Sequence, residues 1–321
     1  MEQTAIGKIM KGVGGLYTVR LLSDTVLPTG STVQCRARGA FRHEGITPLP
    51  GDTVRLDYTE IPEQNTASRG EQSGFAIGEI EPRKNALIRP PMANLDYLFV
   101  TLAAAAPTPI LTTVDKLTCI AQYNGIEPVV VITKSELNPT YAAELTALYT
   151  ACGFSCFSTC AETGEGVEAL DRFIKEQMSG KIAAFAGASG IGKSTLLNRL
   201  FPALKLSTAQ ISRKIERGRH TTRQVELFCL SEDADCGYIA DTPGFSMLDF
   251  ERFDFFDKED LPETMREFVP YIGGCRYTKC SHTKEEGCAI LEAVKAGVIP
   301  KSRHDSFVEL YNTLKAKKKW N

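Results

Sequence analysis

Between Gly187 and Thr195 the chain reads GASGIGKST, with a lysine and a serine closing a glycine-rich run. This is the G-x-x-x-x-G-K-S spacing of a phosphate-binding loop. Glycines at 187, 190 and 192 reach backbone conformations closed to other residues, so the amides of Gly187, Ala188, Ser189, Gly190, Ile191 and Gly192 turn inward around a phosphate. Lys193 then reaches the β- and γ-phosphates and Ser194 ligates Mg²⁺, with Thr195 next to it among the nucleotide-contacting residues. Leu196, Leu197 and Leu200 recur at helical spacing, so the loop opens a helix whose positive end faces the same phosphates. The implied ligand is a nucleoside triphosphate.

Downstream, Asp241-Thr242-Pro243-Gly244 ends an apolar run. An Asp at the carboxyl end of a strand beyond a phosphate loop is placed to hold Mg²⁺ through water, and the Gly244 amide to meet the γ-phosphate. A second constellation is C-x4-C-x-H-x5-C at Cys275, Cys280, His282 and Cys288. Three thiolates and an imidazole in so short a loop suit a closed, structural tetrahedral Zn²⁺ site. The other cysteines lack such spacing and read as free thiols.

These groups need elements to hold them. Residues 1–91 show short alternating runs at Gly7–Ile9, Leu16–Leu22, Thr32–Ala37, Asp52–Tyr58 and Phe75–Ile80, which predict five strands in a small barrel, an OB-fold by preference. Arg36, Arg38 and Arg42 crowd one of them and its exit beside Phe41, a pattern that suits either cations and an aromatic face offered to single-stranded nucleic acid or a solvated charged face. The proline-rich stretch 82–96 reads as a linker. After it, strands alternate with amphipathic helices, as in an α/β domain with a parallel sheet over 92–248. Residues 249–321 read as an α-helical zinc-binding domain with helices at 261–268, 289–296 and 302–319, the last ending in lysines that include Lys317 and Lys318. The formal net charge of −2 leaves no global field for nucleic acid, so any basic surface is local. The N-terminus lacks the apolar core of a signal peptide and no run is long enough to span a membrane, which gives the expectation of a cytoplasmic protein.

Thr133-Lys134-Ser135-Glu136 follows the apolar run PVVVI, and Cys160-Ala161-Glu162 follows the next strand. Both stand where a GTPase reads its base, yet both precede the phosphate loop. With GRHTT at 218–222, PRKN at 82–85, and Asn94 and Asp96 entering the first α/β strand, the chain resembles the small ribosomal subunit biogenesis GTPases, a family of circularly permuted GTPases. The resemblance covers essentially the whole chain and implies GTP hydrolysis in late maturation of the small ribosomal subunit, with Mg²⁺ and zinc as metals, rRNA contacts from both flanking domains, and a monomer. It implies a switch threonine on Mg²⁺, Thr221 or by preference Thr222. Because Phe245 follows DTPG where a glutamine would orient water, His220 is the candidate for that task. The family's base-reading NKxD is altered: Thr133 replaces Asn and Glu136 replaces Asp, while Cys160 and Glu162 replace Ser and Lys of the second motif. Guanine remains the favoured base over relaxed specificity. The rival reading is a nucleotide-regulated RNA-binding module with incidental hydrolysis.

Overall fold

The computed structural model describes residues 3–23, 27–39, 41, 45–58, 74–202, 225–231, 233, 236–241 and 256–317. In chain order the strands are β1 (Gln3–Val13), β2 (Leu16–Leu21), β3 (Thr32–Ala37), β4 (Thr53–Tyr58), β5 (Phe75–Ile80), β6 (Ala86–Leu87), β7 (Met92–Ala93), β8 (Tyr97–Ala103), β9 (Glu127–Thr133), β10 (Ser155–Ser158), β11 (Ile182–Ala186), β12 (Glu226–Cys229) and β13 (Tyr238–Asp241). The helices are α1 (Leu111–Tyr123), α2 (Pro139–Ala151), α3 (Val167–Gln177), α4 (Lys193–Leu200), α5 (Ala289–Lys295) and α6 (Lys301–Ala316). They divide between two compact units, one of residues 1–97, 174–184 and 209–245, the other of 98–173, 185–208 and 246–321.

In the first unit β1 to β5 close on themselves. Strand β1, at eleven residues, is long enough to pair with both β4 and β2, and the ring is completed by β2 with β3, β3 in parallel with β5, and β5 with β4. That is the strand order of an OB-fold barrel. Alternation puts Ile9, Val19, Leu21, Val33, Cys35, Val54, Leu56 and Ile77 inside. Phe41 joins this core at 8% exposure. The expected stacking face is therefore corrected: the ring is large and apolar, and barrel closure buries it instead of offering it to a base.

The stretch 82–96 is likewise not a linker. Strands β6 and β7 pair across its turn, and side chains fix its ends. Arg83 forms a fork with Asp52, Nε to Oδ1 and Nη2 to Oδ2 both at 2.7 Å, while the Leu49 amide donates to the same carboxylate at 2.7 Å. Asn85 exchanges hydrogen bonds with both backbone groups of Leu95. The Asp96 carboxylate accepts from the Ile182 amide at 3.0 Å and from Lys84 at 2.7 Å. The prolines that suggested a linker sit within this polar knot, whose bonds outweigh their breaking tendency.

In the second unit every residue of β8 is buried, β9 pairs in parallel with β10, and α2 starts where Asn138 accepts from the Tyr141 amide with Pro139 at the first helical position. The helix expected over 261–268 is a single 3₁₀ turn, Leu261–Thr264. Met265 is already extended (φ −104°, ψ 106°), and a second 3₁₀ turn follows at Val269–Tyr271 around Pro270. Proline cannot supply the amide that a continuous helix needs there.

One fully buried cation ties this unit together. Arg303 of α6 donates to Asp115 of α1 and, through Nε at 2.6 Å, to Glu267. Tyr149 of α2 adds its hydroxyl to Asp115 at 2.9 Å, and the guanidinium lies 5.5 Å from the Phe154 ring centroid. Replacing Arg303 with Met strands two carboxylates without their cation, so we expect a loss of about 3–5 kcal/mol in denaturant unfolding. The exposed Lys301–Asp305 pair, one turn away on the same helix, is the control, and its Lys301→Ala variant leaves the midpoint unchanged.

Candidate nucleotide and metal sites

Strand β11 is buried along its whole length and delivers the chain into the glycine-rich loop. At Gly187 (φ +151°) a Cβ would lie 2.4 Å from the Thr101 carbonyl oxygen, so no side chain fits. Gly190 and Gly192 also take positive φ, and Gly192 is the residue from which α4 starts, with Lys193 and Ser194 in its first turn. The helix is anchored by Leu196, which is fully buried.

The Thr133–Glu136 segment is held against the back of this loop. Thr133, 2% exposed at the end of β9, directs its hydroxyl to the carbonyls of Ile191 and Leu102. Lys134 takes a left-handed backbone conformation (φ +55°) and donates from Nζ to the carbonyls of Ala106 at 2.6 Å and Gly190 at 2.8 Å. These two bridges leave Glu136 on the one-turn 3₁₀ helix Ser135–Leu137. Its Oε2 is buried and has no hydrogen-bond partner among the described residues. A buried carboxyl oxygen left so is costly and calls for a donor. A guanine edge, with donors at N1 and N2, meets that need, whereas adenine presents an acceptor at N1.

The second base-reading segment also lies in this unit. Cys160 is fully buried and turned inward, its Sγ accepting from the Thr163 amide at 3.3 Å and its carbonyl from the Gly164 amide at 2.9 Å. It closes the turn and leaves the neighbouring Ala161 amide without a partner among the described residues. Asp241 ends β13, the strand paired in parallel with β11 in the first unit. Its side chain lies outside the described residues, as do Gly244, His220, Thr222, Arg42 and Lys318. Arg36 is exposed on β3, Arg38 is paired with Asp57 at 3.0 Å, and Lys317 is half-buried just beyond α6.

The Cys/His cluster is assembled. The ligand atoms of Cys275, Cys280, His282 and Cys288 all lie within 4.8 Å of one another. Cys275 Sγ is 3.8 Å from Cys288 Sγ, and each of these sulfurs is 3.5 Å from His282 Nδ1. A tetrahedral zinc with bonds of about 2.3 Å to sulfur and 2.0 Å to nitrogen requires separations of about 3.8 and 3.5 Å, so the donor set fits that ion. Second contacts hold the frame. His304 of α6 donates from Nε2 to the His282 carbonyl at 2.8 Å. Glu285 accepts from the Ser281, Thr283 and Lys284 amides. Burial pushes its carboxyl up, but the Ser281 hydroxyl and the amides outweigh it and hold the pKa down at about 2.

Comparison with known proteins agrees with this geometry. Residues 6–64 match the RsgA N-terminal domain, and residues 80–251, more than half of the chain, match the RsgA GTPase model. The chain belongs to the RsgA GTPase family. It is 37% identical over 314 residues to the small ribosomal subunit biogenesis GTPase RsgA of Caldanaerobacter subterraneus subsp. tengcongensis, covering 98% of this chain and 97% of that one. The RsgA of Enterococcus faecalis is 36% identical, with 94% and 93% covered. Among solved structures, YjeQ from Thermotoga maritima superposes with a TM-score of 0.78 at 30% identity, covering 98% of this chain and all of that one. YloQ, described as a circularly permuted GTPase, gives 0.73 at 30% identity, with 99% and 98% covered.

As an RsgA GTPase the chain keeps the permuted motif order, with Thr133–Glu136 and Cys160–Glu162 ahead of the phosphate loop; the first segment is bonded to that loop and the second to Arg199 of the helix that follows it. Sequence reasoning missed three features here. The motif alignment treated Thr133 as a weakened Asn, although a hydroxyl at the end of a buried strand suffices to reach the loop carbonyls. It gave Lys134 no structural task. It passed over Arg199, whose position in the last turn of the phosphate helix was the available signal. Thr133→Val removes the hydroxyl at nearly constant volume and leaves the Leu102 and Ile191 carbonyls without it. We expect a loss of about 1–3 kcal/mol in thermal unfolding together with weaker nucleotide binding by calorimetry.

Proposed function

We propose that this RsgA GTPase hydrolyses GTP during late maturation of the small ribosomal subunit, with turnover stimulated by the subunit itself. Support comes from relatives named for that process that align along nearly the whole chain, and from one observation in the site: a Glu136 oxygen without a partner among the described residues, on the segment whose Thr133 and Lys134 bond to the phosphate loop. Glu136 takes the guanine N1 and N2 donors, the Ala161 amide takes the base carbonyl, and residues 187–195 cradle the phosphates. Lys193 stabilises the charge that develops as water attacks the γ-phosphate in line. Mg²⁺, held by Ser194, Thr222 and Asp241, neutralises phosphate charge when bound, and His220 positions the attacking water. Zinc is the structural metal of Cys275, Cys280, His282 and Cys288. The barrel, residues 1–91, and the zinc domain, 249–321, flank the GTPase domain, 92–248, and contact rRNA, with Arg36, Arg38, Arg42, Lys317 and Lys318 as contributors. The protein acts as a cytoplasmic monomer.

Intrinsic hydrolysis should be slow, on the order of 10⁻⁴ per second, as in GTPases awaiting a completing partner. Purified small subunits should raise it by at least tenfold, with GTP preferred over ATP, and Lys193→Ala should abolish the gain. Indifference to the subunit, or equal use of ATP, would leave the nucleotide-regulated RNA-binding module as the better reading. Elemental analysis of protein purified without chelator should find one zinc per chain. Cys288→Ser should lose the metal and lower the melting temperature, because binding and folding of such a site are coupled.

A further inference from the structure

The turn Cys160–Glu165 has an unusual support. The guanidinium of Arg199, in the last turn of α4, donates from Nη1 to the Ala161 and Glu162 carbonyls, both at 3.0 Å, and from Nη2 to the Thr163 carbonyl at 3.2 Å. Three successive carbonyl dipoles thus converge on one point, an arrangement that repels itself unless a cation occupies the centre. The planar fork of arginine spans three acceptors in a way that a lysine ammonium does not. Gly164 completes the fit. It takes φ +94°, and a Cβ there would lie 2.3 Å from Arg199 Nη2, so the absence of a side chain opens the space that the guanidinium fills.

The orientation of one amide follows from this. In a trans peptide the N–H points opposite to the C=O. The Cys160 carbonyl is turned inward to the Gly164 amide at 2.9 Å, so the Ala161 N–H of the same peptide is directed outward. The next carbonyl, that of Ala161, is fixed on Arg199, so both peptide planes that flank Ala161 are held, one by the Gly164 amide and the other by the guanidinium. Arg199 and Lys193 share one short helix, so the guanidinium that supports the turn and the lysine of the phosphate loop stand on the same element.

We infer that Arg199 is a positioning residue for base recognition, a guanidinium on the phosphate helix that presents the Ala161 amide to the 6-carbonyl of guanine. This rests on the guanine reading above. The probes are GDP, 6-thio-GDP, which replaces the 6-oxygen with a poorer acceptor, and IDP, which lacks the 2-amino group that Glu136 would take. Calorimetry on the full-length protein is expected to show wild type favouring GDP over 6-thio-GDP by about fivefold, the worth of one neutral hydrogen bond. In Arg199→Met, GDP should weaken by about that factor and the preference over 6-thio-GDP should collapse towards one, with the preference for GDP over IDP retained. A purely structural role for Arg199 would weaken all three nucleotides alike and leave both ratios standing, which would overturn the inference. So would a wild type that prefers GDP to IDP but is indifferent to sulfur at position 6. A wild type indifferent to IDP would instead overturn the guanine reading, and the inference with it.

Discussion

A loop that turns its amides inward around a phosphate must turn carbonyls outward, and those carbonyls need donors. Here the donors come from the Thr133–Glu136 segment. Thr133 reaches the Ile191 carbonyl and Lys134 that of Gly190, so the loop and the segment proposed to read the base are bonded to each other without any ligand. Lys134 sits in a left-handed backbone conformation, which shows how firmly that geometry is imposed. The permutation of the chain is tolerated because this bonding is spatial. Thr133 and Ile191 lie 58 residues apart in the order opposite to that of an unpermuted GTPase, and the hydroxyl does not register the difference.

The same device recurs at other scales. Arg83 gathers Asp52 and the Thr47 carbonyl at the exit of the barrel, Arg199 gathers three carbonyls beneath a turn, and Arg303 gathers two carboxylates in the interior of the second unit. In each case a planar cation with several donors gathers acceptors from segments distant in sequence. The near-neutral net charge conceals this arrangement, since it records only the balance of cations and anions and nothing of where they are directed.

Much of this was legible beforehand. Alternation in the first eighty residues gave the barrel strands, since a period of two survives any detail of side-chain choice. The glycine-lysine-serine spacing pointed to the loop that the structure shapes with positive-φ glycines, and the Cys/His spacing to a cluster that the structure assembles and that could hold a metal ion. What escaped depends on partners far along the chain. Phe41 read as an exposed aromatic until barrel closure enclosed it, and the prolines of 82–96 read as a linker because the bonds from Arg83 to Asp52 and from Ile182 to Asp96 that order it are non-local. The expected helix over 261–268 failed for a local reason, the early extension at Met265, which no periodicity records.

Arg303 lies 188 residues beyond the aspartate it neutralises. During synthesis, α1 therefore leaves the ribosome carrying a carboxylate whose partner does not yet exist. At ~5–20 residues per second that interval lasts on the order of ten seconds or more, a period in which the first helix of the nucleotide-binding half has its strands for company but an unmatched charge on the face it must bury. Completion of the GTPase half is thus timed by the emergence of the last helix. A nascent chain that stalls before residue 303 would present an unfinished enzyme, even with its phosphate loop, both base-reading turns and all four cysteine and histidine ligands already made.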